Sequence, residues 1–291
     1  MRFRWIVICL VVLYLCSGCT QNNTQNNTQN NTQKAQQIKP NAKSEQPKTL
    51  QAESATPNLA GGPEKKVRKP HPLSLADLRK KYRSTFILNG PSSKREVALT
   101  FDDAPDDQFT PLVLDVLKRE GIQATFFVVG NRVEAHPEVV KRIVEEGHLL
   151  GNHSYNHANL PKISDAEFRE QVNKTDKLIS QYTGYIPNII RPPYGNISEG
   201  QIQWLASQGK KIINWNVDSL DWKGLTPEQV ETNVLAHIKP GAIILHHSGG
   251  GKGEDLSCTV DALPRIINQL RNDQVKLVTV SELLELDIPT K

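Results

Sequence analysis

From Val97 onward, short continuous apolar runs alternate with longer stretches in which apolar residues recur every three or four positions. The runs "VALTF", "ATFFVV", "GHLLGN", "NIIRP", "IINWNV", "AIILHH" and "VKLVTV" are rich in β-branched and aromatic residues. Gly, Pro, Asn or charged residues bound them, which predicts strands. Between them, Ser164 with Glu167 predicts a capping box, and Thr226-Pro227-Glu228-Gln229 predicts another with Pro at the first helical position. Phe168, Val172, Ile179 and Tyr182 mark one helical face. Strand and helix in repeated alternation predict a parallel sheet of βα units, either closed as a barrel or doubly wound.

The pattern before Val97 is different. Arg2 and Arg4 precede the apolar run Trp5 to Leu15, which is short for a membrane span and reads as an export signal. The run ends in "LCSGC", which resembles a bacterial lipobox with Cys19 as the lipid-modified residue; Cys16 stands where that pattern usually has Leu. An ordinary secretory signal or an uncleaved anchor is the alternative. Segment 1–19 is therefore assigned as the signal. Segment 20–69, which opens with the repeat "TQNNTQNNTQNNTQ" and continues in Lys, Pro, Ala and Gln, is expected to be a disordered polar tether. Segment 70–93 is a short extension whose "LADLRKKY" is expected to form a helix packed on the folded domain, 94–291.

Composition narrows the chemistry. A net charge of +4 over 291 residues, with basic residues scattered, argues against a nucleic-acid partner. Cys9, Cys16 and Cys19 lie in the leader, so Cys258 alone in the folded part excludes an intradomain disulfide or a thiolate metal cluster. Any metal must take His and carboxylate ligands. A monomer is expected.

The polar residues collect at the C-terminal ends of the predicted strands. Asp102 and Asp103 follow "VALTF"; His153 and His157 follow "GHLLGN"; Arg191 and Tyr194 follow "NII"; Asp218 and Asp221 follow "INWNV"; His246 and His247 follow "AIIL". In parallel α/β folds that edge is where a ligand is met. His153 and His157, one helical turn apart, can point the same way, and with Asp103 they make a set of two nitrogens and one oxygen suited to a divalent ion. One carboxylate of the Asp pair can ligate while its neighbour accepts a proton from water; a helix cap is the alternative role, for which Asp106 and Asp107 are better placed. His246 or His247 can protonate a leaving amine if a carboxylate such as Asp221 raises its pKa, the other His being packing. Arg191 can hold the base carboxylate ionised or form a structural ion pair. Trp222 and Leu245 can wall an acetyl or sugar pocket or belong to the core.

Together "TFDDAP", "HSYNH", "RPPYG", "DSLDW" and "LHH", in this order over roughly Arg95 to Ile288, closely resemble the NodB-homology polysaccharide deacetylases of carbohydrate esterase family 4. The resemblance implies an α/β fold, a distorted (β/α) barrel, and metal-dependent removal of N-acetyl or O-acetyl groups from glycans. It implies Asp102 as catalytic base, with Asp103, His153 and His157 as ligands of one divalent ion, Zn foremost, Co or Ni otherwise. It implies Arg191 as the residue that positions the base and the Tyr194 backbone amide as oxyanion donor. Leu245 lines the acetyl pocket, His247 is the acid, and Asp221, or Asp218, tunes it. Ala104 stands where the family usually has Gly; if the backbone there needs φ > 0, the Cβ is costly and would displace the Asp pair.

An exported, lipid-anchored domain on a polar tether is expected to face the cell wall, with peptidoglycan N-acetylglucosamine as the favoured substrate. The alternative is a catalytically weak wall-binding or envelope-stabilising protein of the same fold. "GGGKGEDL", Gly249 to Leu256, is expected to be a mobile loop at the mouth of the groove.

Overall fold

The computed structural model describes residues 56–67 and 73–287. The expected export signal, Cys19 and the polar repeat lie outside the described residues. Among the described residues, no helix is long and apolar enough to cross a membrane.

In chain order the elements are α1 (Glu64–Val67), α2 (Leu73–Lys81), β1 (Phe86–Ile87), β2 (Glu96–Ala104), α3 (Phe109–Glu120), β3 (Thr125–Val128), α4 (Gly130–Ala135) and α5 (Pro137–Glu145). There follow β4 (Leu149–Asn152), α6 (Asp165–Thr183), β5 (Ile189–Ile190), α7 (Glu199–Ser207), β6 (Lys211–Ile213) and β7 (Val217–Asp218). Last come α8 (Pro227–Leu235), β8 (Ile243–His247), α9 (Ser257–Asn272), β9 (Lys276–Val278) and α10 (Val280–Leu284). The strands lie in the order β1-β6-β5-β4-β3-β2-β8-β7, with β9 beside the start of β2, and every pair of strands is parallel. An antiparallel bridge between Asn89 and Ala242 ties the chain after β1 to the start of β8. The sheet thus curls into a distorted (β/α) barrel rather than lying open.

Alternation along β2 and β8 separates two apolar layers. Val97, Leu99, Phe101 and Ile244 pack outward against α3, α8 and α9 in the main core. Ala98 and Ile243 point inward, where they join Phe127, Leu149, Ile189, Ile213 and Leu283 in an apolar plug at the base of the barrel. A third cluster joins Phe86, Ile190 and Ile212 to Phe168, Val172 and Leu205 of α6 and α7. Period-2 alternation is what lets one strand serve both the outer core and the interior.

The two expected capping boxes form, and Ser198 with Gln201 and Thr279 with Glu282 add two more. Asp106 Oδ1 accepts from the amides of Phe109 and Thr110, so Asp106 caps α3 and leaves the Asp pair to other work. The segment "IINWNV" is split: β6 and β7 are not hydrogen-bonded to each other, and Asn214, Trp215 and Asn216 lie between them. The extension does more than pack on the barrel, since β1 supplies an edge strand paired with β6. Within the segment expected to be tether, Glu64–Val67 form α1, and the Ala60 and Gly61 amides hydrogen-bond to Asn156 O and His157 O.

Candidate active site

Parallel register sets the first contacts. Asp102 stands opposite His247 across β2 and β8, and both follow the inward-facing positions Ala98, Thr100, Ile243 and Leu245. Arg191, just beyond β5, enters from the facing side and is fully buried. Its Nη1 donates to Asp102 Oδ1 at 2.7 Å and to Thr100 Oγ1 at 2.8 Å, while Nε donates to Ile213 O at 2.8 Å. The guanidinium carbon lies 4.2 Å from the centroid of Phe127, on top of the apolar plug. These hydrogen bonds, with one from Nη2 to Asn214 O, fix the cation, and its positive charge faces the Asp102 carboxylate.

Strict alternation would send Asp103 outward. Instead its backbone is left-handed, with φ of 63°, and the β2–β3 register shifts between Phe101 and Ala104. That bulge turns the second carboxylate into the same mouth as the first. Left-handed backbone is tolerated best by Gly, Asn and Asp. Ala104 is not among the residues with positive φ; it is buried in the main core opposite Val128. The strain expected at Ala104 therefore does not arise, and the Asp pair is not displaced by its Cβ.

Asp103 Oδ1 lies 3.5 Å from His153 Nε2 and 3.2 Å from His157 Nε2. The spacing suggested one helical turn for the two histidines, but they sit in a loop after β4. Left-handed Ser154 and His157 shape that loop, with Asn152 Oδ1 accepting from the Ser154 amide and Ser154 Oγ from the His157 amide. His153 Nδ1 donates to Arg191 O at 2.7 Å, and His157 Nδ1 donates to Tyr194 Oη at 3.1 Å. Both Nε2 lone pairs are thereby aimed at Asp103. Burial lowers the pKa of both imidazoles, that of His153 to about 4, and raises the Asp103 carboxyl to about 8. Asp103 Oδ1 and His157 Nε2 are buried without a hydrogen-bond partner. Neutral nitrogens, a carboxylate and orphaned atoms at this spacing fit a divalent cation.

His247 has a different environment. Its Nδ1 donates to Asp221 Oδ1 at 2.7 Å and its backbone amide donates to Asp221 Oδ2 at 2.8 Å. Thr259 Oγ1 and the Trp222 amide also donate to Asp221. Burial alone would lower the His247 pKa, but the Asp221 carboxylate holds it well above the ordinary imidazole range. His246 points the other way, against Phe101 at 5.5 Å between ring centroids, and burial lowers its pKa to about 4. Asp218 accepts from the Leu220 amide, and the carboxylate that His247 Nδ1 meets is that of Asp221. Leu245 is buried on β8, one residue before His246, and Trp222 is half-buried in the 3-10 turn that carries Asp221.

Tyr194 reaches the site by its side chain as well as its backbone. Its φ of 60° folds the turn Pro193–Gly195, and its ring lies edge-on to His157 with 4.6 Å between centroids. Arg132 escaped the sequence reading. It is 1% exposed, and its Nη1 donates to Asp103 O at 2.7 Å, holding the bulge from below. The only sequence signal for it is its place just after the end of β3. Arg132 also donates to Gly250 O, and a Cβ on Gly249 would meet Asp103 O at 2.4 Å. The glycine-rich loop, expected to be mobile, is fastened to the site at these two residues.

A family model described as polysaccharide deacetylase matches residues 89–213. Over 200 residues the chain is 45% identical to a peptidoglycan-N-acetylglucosamine deacetylase of Bacillus cereus, covering 69% of this chain and 72% of that protein. A crystal structure of a peptidoglycan N-acetylglucosamine deacetylase bound to 4-naphthalen-1-yl-N-oxidanyl-benzamide superposes with a TM-score of 0.69 at 44% identity, covering 74% of this chain and 98% of that one. A pseudoenzyme of family CE4 from Bacillus anthracis superposes with a TM-score of 0.63 at 32% identity, covering 69% of each chain.

Proposed function

Because the chain belongs to the polysaccharide deacetylase family, a family of hydrolases, we propose that it removes N-acetyl groups from peptidoglycan N-acetylglucosamine, with one divalent cation, Zn by preference, as cofactor. The observation that carries this reading is the meeting of an Asp103–His153–His157 cluster with the Asp221-paired His247 at one barrel mouth, with Arg191-bound Asp102 between them. Peptidoglycan is favoured over other glycans by the relatives that act on it and by the export signal read in the leader. In this reading the protein is exported, held at the outer face of the membrane through Cys19, works as a monomer, and takes acetylated wall glycan as its partner.

Asp103, His153 and His157 would hold the cation. When bound, such a cation polarises the acetyl carbonyl and makes water more acidic. Asp102 accepts the proton of the attacking water, and the Arg191 guanidinium keeps that carboxylate ionised and oriented. The Tyr194 backbone amide meets the negative charge that develops on the carbonyl oxygen. His247, protonated and aligned by Asp221, delivers a proton to the departing amine, which leaves free amine on the sugar and acetate. Leu245 and Trp222 supply the apolar wall for the acetyl methyl.

The alternative of a catalytically weak wall-binding protein rested on Ala104, and the negative φ at Ala104 removes that support. The test is acetate and free amine released by the metal-loaded full chain from chitooligosaccharides and isolated peptidoglycan, beside Asp102→Asn. Release that vanishes with Asp102→Asn and with chelator is expected; no release from the folded, loaded protein overturns the reading.

A further inference from the structure

The groups of the site are almost sealed from solvent. Asp102 is 4% exposed, Asp103 2%, His157 0% and His247 3%. A glycan chain cannot bring an acetamide to atoms this covered. The cover includes residues 56–67, which cross the mouth of the barrel from one wall to the other. Thr56 bonds His136 and Asp107, and Arg132 Nε donates to Pro57 O. The Ala60 amide donates to Asn156 O at 2.8 Å and the Gly61 amide to His157 O at 3.1 Å. Tyr194 Oη donates to Gly62 O at 2.7 Å, and α1 packs on the 3-10 turn Asp221–Lys223.

Gly61 is required for this fit. A Cβ at that position would stand 2.2 Å from Tyr194 Oη and 2.7 Å from His157 O. Three residues later Glu64 is buried at 5% exposure. Burial is the main influence on Asp103, Tyr194 and His247, but the charge of Glu64 acts on all three. Glu64 lies between Gly62, which Tyr194 Oη holds, and the 3-10 turn Asp221–Lys223 on which α1 packs, so it stands beside the site. A glutamate side chain ends as a substituted acetate, and acetate is the product of the proposed reaction.

We propose that Thr56–Val67 is an intramolecular occluding strap, and that the Glu64 carboxylate takes the place of the acetate released by deacetylation, so that the strap must lift before a glycan enters. This rests on the deacetylase reading for the identity of the displaced ligand. A few hydrogen bonds and one buried leucine, Leu59, hold the strap, as suits a segment that opens without unfolding the barrel.

The test uses the metal-loaded full chain, Glu64→Ala, and Gly61→Ala as an independent way of unseating the strap. Hydrogen exchange at the Ala60 and Gly61 amides is measured with and without chitooligosaccharide and sodium acetate, beside kcat/KM. Both variants are expected to exchange faster at these amides and to gain about tenfold in kcat/KM, as removal of a closed state populated about ten to one requires. In the parent chain, saturating chitooligosaccharide or acetate is expected to speed exchange by displacing the strap. Slower or unchanged exchange with ligand, or a kcat/KM that falls or stays level in both variants, overturns the proposal. If no variant releases acetate at all, the deacetylase reading fails while the exchange data still decide whether the strap occludes the site.

Discussion

Asp103 and Asp221 are both carboxylates with almost no exposure, 2% and 0%, at one barrel mouth, yet their surroundings drive them in opposite directions. Asp221 accepts from the His247 ring, the His247 amide, Thr259 and the Trp222 amide, and these partners hold its pKa down although burial raises it. Asp103 Oδ1 accepts nothing, and burial lifts its pKa to about 8. One half of the site is satisfied within the polypeptide; the other leaves Asp103 Oδ1 and His157 Nε2 unpartnered at a spacing that fits a cation. Ionised groups are retained in a protein interior where donors or an opposite charge meet them; Asp221 has the donors, and the proposed cation would be the opposite charge for Asp103.

The comparison breaks most sharply at the cation-holding half. His157→Ala leaves two ligands, so metal uptake by equilibrium dialysis is expected to fail, with acetate release down by at least ~10³-fold, whereas the same variant leaves His247 and Asp221 in place. Asp221→Asn is expected to keep the metal but lose about 10² to 10⁴-fold in kcat, as removal of a group that orients a catalytic His does. The sign of its pH effect follows from the pair. His247 has its pKa raised by Asp221, so activity needing the imidazolium falls as pH rises through that pKa, and losing Asp221 shifts the alkaline limb to lower pH. An unmoved limb would separate the two residues functionally.

Tyr194→Phe removes the acceptor of the His157 Nδ1 proton, and a loss of about 10 to 100-fold in metal affinity is expected by competition with a chelator. Thermal unfolding measures the same contrast more gently. Because the folded-state pKa of Asp103 is raised, its ionisation opposes the metal-free fold increasingly as pH climbs from its unfolded value of about 4 toward 8. Zn is therefore expected to raise Tm more at pH 8 than at pH 5, and an equal gain at both would remove Asp103 as the responsible group. Ala104→Gly should matter least: a cost of ~1 kcal/mol in urea unfolding from lost burial and added backbone freedom, with kcat/KM within about twofold of the parent.

Much was legible in the sequence because it is local. The apolar runs announced β2, β3, β4 and β8, and Ser164 and Thr226 announced the starts of α6 and α8. The polar residues after each run were already at the edge where a parallel sheet gathers its ligands, so Asp102, Asp103, His153, His157 and Arg191 could be singled out from their places in the chain, whereas His247 was distinguished from His246 only by the family resemblance. Helical spacing misled for His153 and His157, since loop hydrogen bonds from Asn152 and Ser154 set their geometry.

Tertiary structure alone decided the rest. The left-handed turn at Asp103, which brings adjacent carboxylates into one mouth, depends on a β2–β3 register shift and on Arg132 from beyond β3. The seating of residues 56–67 joins Gly62 to Tyr194, 132 positions away. Sequence pattern reports what each residue prefers among its neighbours, and so it fixed the strands, the helix starts and the chemistry carried at their ends. Which of those groups are buried, which are left without a donor, and what lies across them are set by contacts between distant segments, whose free energies no local preference contains.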